Sequence, residues 1–289
     1  VIVAIASGKG GTGKTTLAVN LAASFGRPVQ LLDCDVEAPN AHLFLHPHVS
    51  DTETVGVPVP RIDETACSLC GECGLVCQFH ALAVLRTGVV VFPELCHGCG
   101  GCTLLCPDHA IREELRPVGT VELGRSGDIE IISGRLTIGE AMAPPVIRAV
   151  KAHARPSGLV LVDAPPGTSC PTVAAIHGCD MVVLVTEPTP FGLNDLRLAV
   201  ETVRTVGLPF AVVVNRAGSG DQRVHDYCAA EGIEVLAEIP DDRRAAEVSA
   251  RGKLLVDELD DFRSIFAELA DRLRARLEGT ELAATAGGV

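Results

Sequence analysis

The sequence predicts an α/β fold: a mainly parallel sheet flanked by helices, with a small cysteine-rich domain set into it. Three observations carry that expectation. Short aliphatic and β-branched runs recur along the chain with helical stretches between them, as strands buried on both faces require. The composition is 47% hydrophobic yet only 3% aromatic, with no Trp, so the core has to be built from Val, Leu, Ile and Ala. Eight of the 12 cysteines fall into two copies of one spacing between residues 67 and 106, which marks a separate unit. A chain of 289 residues has room for one large domain and a small one.

The first strand is Val1 to Ala6. Gly8 to Thr15 then matches G-x-x-x-x-G-K-[ST] at every position, and Thr16 to Ala23 has the composition of a helix. That strand, loop, helix order is the context a phosphate-binding loop needs. Gly8, Gly10, Gly11 and Gly13 leave room for backbone N–H groups, with that of Thr12, to face phosphate oxygens. The helix that begins around Thr16 points its positive end at the same anion. The motif assigns Lys14 to the β- and γ-phosphates and the Thr15 hydroxyl to Mg²⁺. Lys9 also sits in this loop. Only four lysines (9, 14, 151, 253) stand beside twenty arginines, so two of the four here argue for a role beyond a solvated loop side chain.

Pro28 to Leu32 reads as the second strand, running into Asp33, Cys34 and Asp35. Carboxylates at a strand end can orient water or cap the next turn. Residues 47–61, rich in Pro, Val and Thr, read as a linker or a short strand pair. From Ala66 the composition changes. Cys67, Cys70, Cys73 and Cys77 are repeated 29 residues on as Cys96, Cys99, Cys102 and Cys106, with His80 falling on His109 and Ala81 on Ala110. Two sites of the C-x₂-C-x₂-C-x₃-C form suit iron–sulfur cubes; a pair of Zn(Cys)₄ sites is the alternative. Arg116 and Pro117 close the insert. Residues 118–123 and 128–136 alternate as strands, and Ala143 to Ala154 follows helical spacing. Gly158 onward is a strand ending in Asp163. The remaining third predicts strands at Met181 to Thr186, Phe210 to Asn215 and Val235 to Ile239, with a helix running to about Val206. An amphipathic helix, Leu259 to Leu277, is expected to dock on the core rather than on a membrane, and the tail at 279–289 carries no basic or aromatic residue.

The loop GKGGTGKT resembles the deviant phosphate-binding loop of the MinD/ParA/Mrp family of ATPases, which includes the nitrogenase iron protein. The resemblance implies ATP and Mg²⁺ bound between two subunits, a homodimer or a heterodimer with a similar ATPase. Lys9 would reach the partner's nucleotide and act with Lys14. Asp35 would orient the attacking water, and Asp33 would support the metal's outer shell. DAPPGT at 163–168 resembles the Mrp form of the next motif: Asp163 would face the Mg²⁺ held by Thr15, and the Gly167 N–H would meet the γ-phosphate. By the same resemblance Asn215 would read the adenine edge, and Pro240 and Asp241 would line the base. The cysteine repeat resembles the bacterial ferredoxin with two [4Fe–4S] clusters, in which the fourth cysteine of each run serves the other run's cluster. One cluster would then take Cys67, Cys70, Cys73 and Cys106, and the other Cys96, Cys99, Cys102 and Cys77. Gln78 departs from the Pro that usually follows the fourth cysteine, which Pro107 retains.

Residues 1–57 and 116–289 would thus form a discontinuous ATPase domain around an insert at 58–115. Net charge of −13 disfavours nucleic acid as a partner, and no apolar run approaches the ~18 residues of a membrane span. The expected location is the cytoplasm, where a cysteine-rich chain points to cluster ligation. Cys34 and Cys179, beside strands, read as inert buried thiols, and Cys228 carries no signal. Cys170 lies at the offset from Asp163 at which the nitrogenase iron protein carries a cluster ligand, but no cysteine falls between 107 and 169 to complete such a site; a two-thiolate site between two copies stays open. The expected function is ATP-coupled electron transfer to an unidentified redox partner. The alternatives are an iron–sulfur cluster carrier, although the C-x-x-C of Mrp-type carriers is absent from the C-terminal half, and a positioning ATPase with structural clusters.

Overall fold

A computed structural model describes residues 1–26 and 28–286. In chain order the elements are β1 (Ile2–Ala6), α1 (Lys14–Ser24), β2 (Val29–Asp33), α2 (His42–Leu45), β3 (His48–Ile62), α3 (Glu72–Val76), β4 (Leu82–Leu85), β5 (Gly88–Val91), α4 (Gly101–Leu104), β6 (Ile111–Ser126), β7 (Ile129–Leu136) and α5 (Pro144–Ala152). The second half adds β8 (Leu159–Asp163), α6 (Cys170–Ile176), β9 (Met181–Thr186), α7 (Pro190–Val206), β10 (Phe210–Ala217), α8 (Arg223–Ala230), β11 (Val235–Pro240), α9 (Arg243–Ala250), α10 (Leu255–Glu258) and α11 (Asp260–Ala286).

Among the described residues the main sheet has nine strands in the order β11-β10-β9-β1-β8-β2-β7-β6-β3. It is parallel from β11 through β7, as expected, and antiparallel over β6 and β3. Alternate residues of each strand feed two cores. Val3 and Ile5 join Leu17, Leu21, Phe262 and Phe266 from α1 and α11 on one face. Ala4 and Ala6 join Val146, Ile147, Leu196 and Val200 from α5 and α7 on the other. Burial on both faces is why the strands read as unbroken apolar runs. The expected amphipathic stretch lies in α11, with Phe262, Phe266, Leu269 and Leu273 buried against the sheet. The side chains of the tail at 279–289 lie outside the described residues. Among the described residues no helix is long and apolar enough to cross a membrane.

The stretch expected as a linker or short strand pair is one long strand. β3 pairs with β6 from His48 opposite Arg125 to Ile62 opposite Ile111, and neither strand breaks where the insert was expected to begin and end. Pro58 and Pro60 suggested a linker because proline cannot donate to a ladder. β3, however, is the edge strand of the sheet, where a missing N–H goes unmissed. The ribbon leaves the sheet and carries residues 63–110 at its far end. There Leu82, Cys102 and Ile111 make a small separate core beneath the β4–β5 hairpin.

Candidate functional site

Three strand ends converge at one edge of the sheet. β1 leads into the glycine-rich loop, while Asp33 ends β2 and Asp163 ends β8, the two standing opposite each other in register. The carboxyl ends of parallel strands are where such sheets offer a crevice. The loop turns through Gly11 (φ 79°) and Gly13 (φ 92°), a conformation open to glycine at little cost. At Gly8 a side chain is barred outright, since a Cβ would lie 2.1 Å from the Asp195 carbonyl oxygen of α7. The result is a cleft of about 380 Å³ lined by Gly10, Gly11, Gly13, Lys14, Thr15 and Thr16, with Asp35 and Pro166 beside them and Asn215, Pro240 and Asp241 across from them. Gly8, Thr12 and Gly167 do not line it.

Lys14 is 6% exposed, and burial lowers its pKa against the pull of Asp163 and Asp35. The Thr15 hydroxyl donates to Asp163 Oδ2 at 2.6 Å. Asp163 is fully buried and its Oδ1 has no hydrogen-bond partner. Burial pushes its carboxyl up to about 7, with the Thr15 bond and Lys14 opposing. A half-buried hydroxyl on a buried carboxylate with one oxygen unsatisfied fits a hard cation such as Mg²⁺. Burial also raises the Asp35 carboxyl, with Lys14 as the main opposing charge.

Several of the expected residues are held by contacts within the chain. Asp33, raised by burial and by Asp163, accepts from the backbone N–H groups of Asp35 (3.3 Å), Asn40 (3.2 Å) and Ala41 (3.1 Å), so it straps the loop that carries Asp35. The Gly167 N–H donates to the Ser7 carbonyl at 3.0 Å and is not turned to the cleft. The Asn215 amide donates to the Thr12 carbonyl at 2.7 Å, tying β10 to the loop, while the residue also lines the cleft. Lys9 is half-buried and held within its own chain. Its ammonium pairs with Glu187 at 3.1 Å, and Arg216 holds the other Glu187 oxygen at 2.8 Å. Glu187 escaped the sequence reading because it looked like the entry to a helix. Its position just past β9, at the same sheet edge as Asp33 and Asp163, was the available signal.

The cysteine repeat is a structural repeat too. Gly71 and Gly100, both left-handed, precede the short helices α3 and α4. His80 and His109 follow at φ 53° and 50°, a region in which histidine is enriched, and their N–H groups bond the carbonyls of Cys77 and Cys106. The next amide in each copy, Ala81 or Ala110, donates to the sulfur of Cys77 or Cys106 at 3.3 Å. Cys67, Cys70, Cys73 and Cys106 line one cavity. Cys77, Cys96, Cys99 and Cys102 line a second, where Phe79 and His97 stack at 3.7 Å. Each set draws three cysteines from one run and the fourth from the other. Among the described residues no three such side chains converge as a single metal ion requires. An all-cysteine donor set of this kind has the chemistry that an iron–sulfur cube or a Zn(Cys)₄ site takes. Outside the repeat, burial pushes Cys179 and Cys228 up to about 11, and Cys34 upward too, as inert thiols; Cys170 is exposed.

A family model described as CobQ/CobB/MinD/ParA nucleotide binding domain matches residues 3–256. The chain is 33% identical over 278 residues to an uncharacterized protein of Methanocaldococcus jannaschii, MJ0578, covering 94% of this chain and 96% of that one. It is 23% identical over 305 residues to the iron-sulfur cluster carrier protein of Pyrococcus horikoshii, covering 96% of this chain and 86% of that one. Among solved structures, the septum site-determining protein MinD of Pyrococcus horikoshii, complexed with Mg-ADP, aligns with a TM-score of 0.58 at 20% identity over 94% of this chain and 95% of that chain, a likeness of fold. The chain belongs to the CobQ/CobB/MinD/ParA nucleotide-binding domain family.

Proposed function

We propose that the protein hydrolyses ATP in the glycine-loop cleft and couples the nucleotide it holds to one-electron transfer through two [4Fe–4S] clusters. The observation that carries this reading is the pair of interlocked four-cysteine cavities on a ribbon continuous with the nucleotide-binding sheet.

In the cleft, the loop amides and Lys14 bind the phosphates, and Asp35 orients the attacking water as its hydrogen-bond acceptor. Thr15 and Asp163 would hold Mg²⁺, which supplies charge neutralisation for the phosphates. Asn215, Pro240 and Asp241 frame the base. Lys9, released from Glu187, would serve a nucleotide shared with a second copy or a similar ATPase. In the insert, the two cysteine sets would hold clusters, each of which stores one electron at a time.

Coupling has a route through the chain's own contacts. Val36, next to Asp35, accepts from the Leu136 N–H at 2.8 Å at the end of β7. β7 pairs along its length with β6, the strand that carries the insert. A shift of the Asp35 loop on nucleotide binding is therefore passed to the ribbon.

Anaerobic purification with iron and sulfide counts, followed by EPR in ATP, ADP and no nucleotide, tests both halves. The expected result is two clusters per chain and a cluster reduction rate that depends on nucleotide. Zinc or no metal removes the electron-transfer reading, and indifference to nucleotide removes the coupling. The name of the Pyrococcus relative favours a second reading, in which the clusters are cargo. Iron transfer to an apo acceptor protein would support that reading, and interlocked all-cysteine ligation weighs against it.

A further inference from the structure

Arg116 stands where the ribbon meets the sheet, opposite Val57. Its guanidinium forms an ion pair with Glu140, in the loop after β7. Two of its nitrogens, Nε and Nη2, are buried and have no hydrogen-bond partner. Buried donors on a cation are costly to leave unmade, so their retention calls for an anion.

The cavity of Cys77, Cys96, Cys99 and Cys102 lies on this side. Pro58 and Pro60 wall it, and Cys96 Sγ is 3.9 Å from the Pro58 carbonyl. Gly98, in the same loop, comes so near that a Cβ there would be 2.8 Å from Val57 Cγ1. The other cavity is walled by Ile62 and Ile111, the far end of the ribbon. Carboxylates do not separate the two: Glu113 lines the near cavity, Glu72 and Asp108 the far one.

Resting on the cluster reading above, we propose that Arg116 is the counter-cation of the near cluster and sets its reduction potential above that of the far one, with Glu140 tempering the effect. A cluster in four thiolates gains one negative charge when it accepts one electron from a reductant such as dithionite. A fixed cation beside it favours the reduced form, and a fixed anion opposes it. Arg116 would thereby make the near cluster the downhill end of the pair. Glu140 lies in the loop that follows the β7 end bonded to Val36, so the same ion pair sits on the route from the nucleotide.

The experiment is a dithionite titration of the full chain followed by EPR, on wild type, Arg116→Met, Arg116→Lys and Glu140→Gln. Arg116→Met is expected to lower one of the two midpoints and leave the other. Glu140→Gln is expected to raise that same midpoint, and Arg116→Lys to stay near wild type. Opposite signs from the two ends of one ion pair are not what a loss of packing produces. The inference is overturned if fully loaded Arg116→Met leaves both midpoints in place, if both move together, or if Glu140→Gln shifts in the same direction as Arg116→Met. Should Arg116→Met fail to fold, the sign of the Glu140→Gln shift decides alone. Wild-type protein without iron and sulfide would overturn the cluster reading itself, and this inference with it.

Discussion

At the scale of residues, the site is a set of buried charges held in balance. Lys14 is closed in among carboxylates, and Lys14→Ala removes the buried cation of the glycine-loop cleft. ATP turnover is expected to fall by about 100-fold or more, as when a single electrostatic donor is lost from a site, measurable as phosphate release. Glu187 takes both Lys9 and Arg216. Glu187→Gln leaves two cations without their anion, and because Lys9 and Arg216 are partly exposed the cost is expected at only about 1–2 kcal/mol in denaturant unfolding. The same change frees Lys9, so ATP-dependent self-association in analytical ultracentrifugation is expected to begin at lower protein concentration. Unchanged association would mean that Glu187 does not restrain Lys9. Asp33 gives a different signature. Its two oxygens hold three backbone N–H groups of the Asp35 loop, so Asp33→Ala is expected to lower kcat while ATP affinity stays close to wild type.

At the scale of elements, the β3–β6 ribbon decides how the insert is carried. Val57 and Val121 are buried within it, and Gly98 seats the second cysteine loop on Val57. Gly98 has φ 66°, so Gly98→Ala adds left-handed strain of about 1–2 kcal/mol and a contact too short to keep. Faster limited proteolysis within 63–110 is expected, with nucleotide binding unaltered. Much of the element pattern was legible in the chain. The aliphatic strands were readable because burial on both faces leaves few polar residues in them. The glycine loop and the cysteine runs were readable because their chemistry depends on spacing along the backbone. The ribbon was not, since the same prolines that suggest a linker are tolerated on an edge strand, and only the strand order makes β3 an edge.

At the scale of the whole molecule, two cores share one sheet, and a third small core rides on an extension of it. Because β3 and β6 pair up to Ile62 opposite Ile111, a short turn replacing 63–110 should close the ribbon on itself. Such a chain is expected to bind ATP as the parent does and, on the proposed cluster reading, to hold no iron, which calorimetry and an iron assay would show. Lost ATP binding would mean that the insert supports the nucleotide site directly.

What the sequence determined by itself was set by near neighbours along the chain: the glycine turn ahead of α1, the acids at strand ends, and the two cysteine runs. The tertiary structure decided which distant residues became partners. Lys9 met Glu187, Asn215 met Thr12, Asp33 met the backbone of its own following loop, and Arg116 met Glu140. Spacing constrains a motif because a few bonds fix its reach. Partner choice across a hundred residues follows from strand order and burial, where each buried charge takes whatever opposite charge or dipole the packing brings within range.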